Sequence, residues 1–241
     1  MPGAVLKRLD HYLVEAGLAE TRSKAQQLVR SGAVTVDGSV VRKPAFGVAE
    51  QHVELIETMP YVSRAALKLK GFLPALPFAC EGMTALDIGA STGGFTEVLL
   101  EAGAAQVDAV DVGRDQLHPR LGSNPRVRSF EQTDIRRFAP GRTYDLVTSD
   151  VSFISLHHIL DDVDRLAARW IILLFKPQFE VGREAARDRR GVVTDRKVVV
   201  DAMAAFEAAC AARGWVLRSK AEAAISGKEG NRETCYCYEK R

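Results

Sequence analysis

From Thr84 onward the chain alternates short apolar runs with longer stretches of helical periodicity. Thr84–Ile88, Gln106–Val110, Val127–Phe130, Leu146–Ser149 and Trp170–Phe175 have the length and content of buried strands. Phe95–Ala102, Leu156–Ala168 and Lys197–Ala212 carry apolar residues at helical spacing. This alternation predicts a parallel sheet with helices on both faces. Trp215–Ala221 and Thr234–Tyr238 read as two strands with no helix between them, which predicts a closing antiparallel hairpin.

The pattern before Thr84 is different. Leu6, Leu9, Leu13 and Ala16 predict a first helix that Gly17 ends. A second starts near Thr21 or Ser23, buries Ala25, Leu28 and Val29, and stops at Gly32. Val34 to Val41 reads as two strands around Asp37-Gly38, a strong hairpin signal. Extended chain follows to about Ile56, and Met59-Pro60 marks a boundary. A helix is predicted over Ser63–Phe72 with Ser63 as its cap, before Pro74 and Pro77 break the chain. The expected organisation is 1–60 as a small module, 61–82 as a linker with the first helix of the larger domain, and 83–241 as that domain.

Composition narrows the class. The 241 residues are 46% hydrophobic and 27% charged, an ordinary globular balance. No apolar run reaches the roughly 20 residues of a membrane helix, and the start lacks a signal-peptide core. A cytoplasmic protein with no membrane partner is expected. The four cysteines, with Cys235-x-Cys237 on one strand face, read as buried thiols and not as a metal site. Net charge is +2, but residues 1–45 carry a basic surplus of three. That is a usable RNA footprint, and equally an ordinary solvated surface.

Leu86-Asp87-Ile88-Gly89-Ala90-Ser91-Thr92-Gly93-Gly94-Phe95 lies at a strand-to-helix turn. Glycines there let a ligand approach the backbone, and a helix N-terminus follows. Asp111, about 20 residues beyond the first glycine, stands where an acid binds ribose hydroxyls. Asp134, after the third strand, is a candidate for an adenine edge, and Asp87 reads as a support for the loop. A nicotinamide cofactor stays possible on these facts. The glycine spacing, the terminal hairpin and the lack of a second catalytic domain count against it.

The Asp87–Thr96 run, together with Tyr61-Val62-Ser63-Arg64, Ser149-Asp150-Val151-Ser152-Phe153-Ile154-Ser155 and Lys176-Pro177-Gln178-Phe179-Glu180-Val181-Gly182, resembles the TlyA (haemolysin A) family of FtsJ-like RNA methyltransferases. The match runs from Arg8 almost to the end. It implies an α/β fold, a Rossmann-like S-adenosylmethionine-dependent methyltransferase sheet with a terminal antiparallel hairpin. A small N-terminal α+β RNA-binding domain precedes it. It implies S-adenosylmethionine as cofactor, held by Gly89 to Phe95, Asp111, Asp134 and Asp150. It further implies a Lys-Asp-Lys-Glu group for ribose 2′-O methylation, which falls on Lys68, Asp150, Lys176 and Glu233. Lys70 rivals Lys68, and Glu229 rivals Glu233.

The residue types suit that chemistry. A ribose hydroxyl is a weak nucleophile that must lose its proton as it attacks, and a neutral lysine can take it. Desolvation and a second ammonium nearby favour the neutral form. Lys176 is therefore expected to be the base and Lys68 its charged neighbour, with Asp150 and Glu233 orienting the pair.

The N-terminal module is similar to the S-four RNA-binding domain through Arg8-Leu9-Asp10, the Ala19–Gly32 run and Val34-x-Val36-x-Gly38. Arg8, Arg22, Ser23, Lys24 and Arg30 are its candidate RNA contacts, with Arg64 and Arg183 in the larger domain. Few aromatics interleave, so phosphate and shape reading suits better than base stacking. Gly182–Gly191 reads as a mobile basic loop near the site. The family implies a cytidine ribose of ribosomal RNA as target, with ribosomal RNA or subunits as partner, and a monomer is expected. Three rivals stand beside this reading: a non-catalytic RNA-binding assembly factor, a membrane-lytic haemolysin, and a base or DNA methyltransferase. Full occupancy of the four catalytic positions opposes the first and the lack of an amphipathic segment the second. The missing Pro-Pro after Asp150 opposes the third.

Overall fold

The computed structural model describes residues 6–55, 61–182 and 184–241. The chain divides into two compact units, Met1–Pro60 and Tyr61–Arg241.

In the N-terminal unit, strand β1 (Lys7–Arg8) pairs with β4 (Gly47–Val48). Helices α1 (Leu9–Glu15) and α2 (Arg22–Ser31) follow β1. A small antiparallel sheet has the order β3 (Ser39–Val40), β2 (Val34–Val36), β5 (Val53–Leu55). Leu9, Leu13, Ala25, Val29, Val34 and Val48 form its core. The Thr21 hydroxyl caps α2 by accepting from the Lys24 amide, so the helix starts there and not at Ser23. Asp37 and Gly38 both hold positive φ, 49° and 76°, as a tight two-residue hairpin turn requires. The first helix begins later than the periodicity suggests. Leu6 lies outside it and is 69% exposed, because Arg8 is extended and the chain before it is drawn into the β1–β4 ladder.

The larger unit opens with α3 (Ala65–Phe72). Ser63 does not cap it: Arg64 holds the N-cap position, with helical angles and no side-chain cap. Then come β6 (Thr84–Ile88), α4 (Gly94–Glu101), β7 (Gln106–Val110), α5 (Pro119–Gly122), β8 (Val127–Phe130) and β9 (Tyr144–Ser149). The chain continues through α6 (Leu160–Leu166), β10 (Ala167–Phe175), α7 (Pro177–Glu180), α8 (Arg196–Ala212), β11 (Trp215–Glu222) and β12 (Thr234–Lys240). The seven-stranded sheet has the order β11-β12-β10-β9-β6-β7-β8. Only β12 opposes its neighbours. The helix expected over Leu156–Ala168 is broken. A 3-10 turn covers Leu156–His158, α6 is short, and Ala167 already belongs to β10.

The central strands are buried on both faces. Ile171, Leu173, Phe175, Tyr236 and Tyr238 pack with α6 and α8 residues on one side. Ile172, Leu174, Cys235 and Cys237 pack with α3 and α4 residues on the other. The period of two along β10 and β12 thus fills two cores. It also puts the functional positions at one edge. Gly89, Asp111, Asp150 and Lys176 each directly follow a parallel strand, the usual ligand edge of such a sheet. Thr234, the first residue of antiparallel β12, pairs with Phe175, so Glu233 arrives at that edge from the opposite direction.

Candidate active site

The glycine turn is shaped by its own backbone and one buried acid. Gly89, Ser91 and Gly93 hold positive φ of 77°, 46° and 96°. Asp87 is fully buried beneath the turn, accepting from the Thr96 hydroxyl at 2.7 Å and the Thr148 hydroxyl at 3.2 Å. Burial pushes its carboxyl up to about 6, against the pull of those two hydroxyls. It therefore supports the loop from below. Gly94 is required by contact: a Cβ there would sit 2.2 Å from Ser63 Oγ and 2.9 Å from the Ala66 amide nitrogen. This glycine lets α3 press against the start of α4.

Two clefts meet at the turn. The first, of about 430 Å³, has Asp111 and Asp134 on its wall with Val112, Ile135, Ile154 and Phe153. Asp111 accepts the Ser91 and Gly113 amides at 2.8 and 2.7 Å, which fixes its carboxylate on a wall shared with apolar side chains. Asp134 is differently placed. Arg136 occupies its carboxylate with both side chain and amide and holds it down at about 2. Gly93 faces Leu117 and Leu121 and stands outside both clefts. Phe95 is 2% exposed, packs in the core and also lines the second cleft.

The second cleft, of about 490 Å³, shares Gly89, Ser91, Asp150 and Ser152 with the first and adds Ala90, Thr92, Gly94, Lys68 and Lys176. Two lysines and two carboxylates are paired there. Lys176 Nζ lies 2.6 Å from Asp150 Oδ1, and Lys68 Nζ lies 2.6 Å from Glu233 Oε2. Lys176, Lys68 and Glu233 are 6%, 8% and 2% exposed. Gln178 Nε2 donates to Glu233 Oε1 at 3.3 Å. The carboxylates expected to orient the lysines each take one, and both lysines line the same cleft. The rivals are elsewhere: Lys70 pairs with Glu101 at 2.8 Å on the surface, and Glu229 is exposed.

The candidate RNA residues divide. Arg64 is exposed and lines the second cleft. Ser23, Lys24 and Arg30 are exposed at or near the ends of α2. Arg8 and Arg22 both donate to Asp10, Arg8 through Nε at 2.9 Å and Nη2 at 3.0 Å, Arg22 through Nε at 3.2 Å. Gln26 Nε2 adds a fourth bond at 2.8 Å. Arg183 lies outside the described residues. The loop around it is not loose where it is described. Asp188 accepts the Arg190 and Val192 amides, and the Asn231 side chain ties Gly191 and Val193 to the segment that leads into β12.

Residues 61–240 match the FtsJ-like methyltransferase family, three-quarters of the chain. The chain belongs to the FtsJ-like methyltransferase family. Residues 7–53 match the S4 domain. Among curated relatives, the 23S rRNA (cytidine-2′-O)-methyltransferase TlyA of Campylobacter jejuni is 49% identical over 74% of this chain and 70% of its own. The 16S/23S rRNA (cytidine-2′-O)-methyltransferase TlyA of Mycobacterium tuberculosis is 41% identical over 94% and 87%. A protein named Hemolysin A from Brachyspira hyodysenteriae is 37% identical over 78% and 81%. A solved Streptococcus thermophilus protein with a hemolysin name superposes with a TM-score of 0.74 at 35% identity, covering 98% of this chain and 88% of its own.

Set in this methyltransferase fold, three features escaped the sequence reading. Ser152 touches both clefts and accepts from Lys176. Phe153, one residue on, holds a φ of 66° at 92% exposure, a conformation a bulky residue adopts only when its surroundings impose it. Asp10 is fully buried under two arginines. Only for Phe153 did the sequence carry a signal, an aromatic three residues after a strand-end acid. Among the described residues, no helix is long and apolar enough to cross a membrane, and no group of three or more His, Cys, Asp or Glu could hold a metal.

Proposed function

We propose that the methyltransferase unit moves a methyl group from S-adenosylmethionine to a cytidine ribose 2′-hydroxyl of ribosomal RNA, delivered with the help of the N-terminal unit. The observation that carries this reading is the cleft with two lysine–carboxylate pairs, joined to an apolar cleft that holds a fixed acid. The first cleft suits an adenosine: apolar walls for a purine, and in Asp111 an acid with lone pairs left over for ribose hydroxyls. Gly89 to Thr92, Asp111 and Asp134 would hold the cofactor, with Asp150 at the shared wall. Bound there, the cofactor supplies a methyl group on a positively charged sulfur.

The rest is work for the chain's own side chains. The acceptor hydroxyl enters the second cleft beside Lys176. Its O–H bond would break and the proton pass to Lys176 Nζ in its free-amine form, as the oxygen bonds the methyl carbon and the C–S electron pair stays on sulfur, which leaves as a neutral thioether. Asp150 holds Lys176 in place. Lys68, paired with Glu233, provides fixed positive charge where the oxygen becomes anionic. Gln178 secures the second oxygen of Glu233. Burial excludes water from the lysines and fixes their geometry. Arg8, Arg22, Ser23, Lys24 and Arg30 on the N-terminal unit, with Arg64 and Arg183, would hold phosphates of folded RNA. The relatives named for cytidine-2′-O methylation of rRNA support the choice of acceptor.

Labelled S-adenosylmethionine incubated with ribosomal subunits tests the reading. Label is expected in rRNA, as 2′-O-methylcytidine after nuclease digestion. Label on a base, or none, would sink it. A scaffold without activity would bind subunits and leave no label.

A further inference from the structure

As an ammonium, Lys176 has three hydrogens and three oxygen neighbours: it donates to the Asp150 carbonyl at 3.2 Å and to Ser152 Oγ at 2.8 Å, and its charge is paired with Asp150 Oδ1 at 2.6 Å. To act as a base the amine must first give up one of them and show a lone pair in its place. Carboxylate and carbonyl oxygens only accept, so neither can face a lone pair. A hydroxyl both donates and accepts. Of the three partners, Ser152 alone can turn its hydrogen toward the nitrogen when Lys176 is neutral. The other two keep the remaining N–H groups on Asp150.

The structure assigns to Ser152 the placing of the Lys176 lone pair: its hydroxyl, on the wall shared by the two clefts, keeps the free amine aimed into the cleft until the acceptor hydroxyl takes its place. This rests on the reading of Lys176 as the base. Ser152 acts through Lys176 and is a positioning residue. It is exposed, so its hydroxyl can yield to an incoming ribose. No covalent step is added, because the proton lost by the ribose hydroxyl still ends on Lys176. The comparison with Lys68 is instructive. Its ion-pair partner is Glu233, an acceptor only, which cannot face a lone pair. The arrangement itself distinguishes the lysine built to change state from the lysine built to stay charged. The charged and titratable groups around the same cleft are Asp150, Asp87, Lys68, Arg64 and Lys228, with Glu233 behind Lys68.

The test is single-turnover methyl transfer, saturated in S-adenosylmethionine and ribosomal subunits, from neutral to alkaline pH. Wild type, Ser152→Ala, Ser152→Thr and Lys176→Ala are compared, with thermal melts as a folding control. Ser152→Ala is expected to lower the plateau rate on the order of tenfold to a hundredfold through misalignment, with both saturation constants unchanged. Ser152→Thr keeps the hydroxyl and restores the plateau. An unchanged plateau in Ser152→Ala would overturn the inference while Lys176→Ala stays inactive. So would a loss seen only as weaker cofactor saturation, which would make Ser152 a wall of the first cleft. Activity retained by Lys176→Ala would remove the base itself, and the inference with it.

Discussion

In the N-terminal unit one buried carboxylate, Asp10, gathers Arg8, Arg22 and Gln26 at the surface, whereas in the methyltransferase unit each buried lysine of the cleft has a carboxylate to itself. Arg8 and Arg22 keep side-chain exposures of 45% and 55%, against 7% and 10% for Lys176 and Lys68. One acid under two arginines leaves a net positive, wet surface, which suits reversible capture of phosphates. One acid per lysine leaves two charge-compensated pairs, buried at the floor of the cleft. The same pairing of basic and acidic side chains, in different ratio and burial, thus serves the proposed landing surface in one unit and the proposed reaction site in the other.

Substitutions can break this comparison. Lys176→Ala should have the largest effect, a loss of methyl transfer on the order of a hundredfold to ten-thousandfold with RNA and cofactor binding retained, measured by turnover and equilibrium binding. Glu233→Ala comes next. It strands the buried Lys68 charge and should cost about 3–5 kcal/mol of stability. A denaturant titration reads this, and Lys68→Met in the same chain should recover much of it.

The two buried aspartates give a comparison of opposite sign. The Asp10 carboxyl is held well below the usual carboxylate range, by the Arg8 hydrogen bonds first and then by Gln26 and Arg22. A depressed group contributes stability that is present above its unfolded value of about 4 and lost as pH falls. Asp87 is pushed up to about 6 by burial. Between about 4 and 6 the folded chain keeps a proton there that the unfolded chain releases, so stability falls as pH rises through that window. Trp170 and Trp215 both lie in the methyltransferase unit, and fluorescence melts will report on it alone. Asp87→Asn should flatten their pH slope across that window. Asp10→Asn should leave the melts unchanged and weaken acid-sensitive amide protection around α1 and α2. The smallest effect is expected from Lys24→Ala, which should lower the salt dependence of RNA binding by a slope of about 1 and leave the rate at saturation unaltered.

Much of this was legible in the chain itself. Strand length, alternation and glycine position predicted the sheet, and the first residues after each strand contained Gly89, Asp111, Asp150 and Lys176. The Lys68–Glu233 partnership was not legible from spacing, since the two are distant in sequence and meet only because β12 runs antiparallel into the same edge. Nothing in the spacing marked Asp10 as buried; it lies in the first turn of α1, and the packing of α1 on α2 encloses it. The Thr21 and Ser63 positions carry the same type of signal, yet one caps its helix and the other lies under Gly94, because tertiary contact outweighs local preference there. Ser152 gave no sign because its role depends on which partners fill the other two positions around Lys176.

The wall between the two clefts is thin. Gly89, Ser91, Asp150 and Ser152 face both sides, and a Cβ on Gly89 would already reach within 3.1 Å of Val151. A nucleoside for one side and a ribose mimic for the other could be joined by a linker of a few atoms. Once the first half is seated, the second meets its cleft at an effective concentration that free ligands seldom reach, a gain that needs no new contact. For inhibitor chemistry, this shared partition is the place to build the bridge.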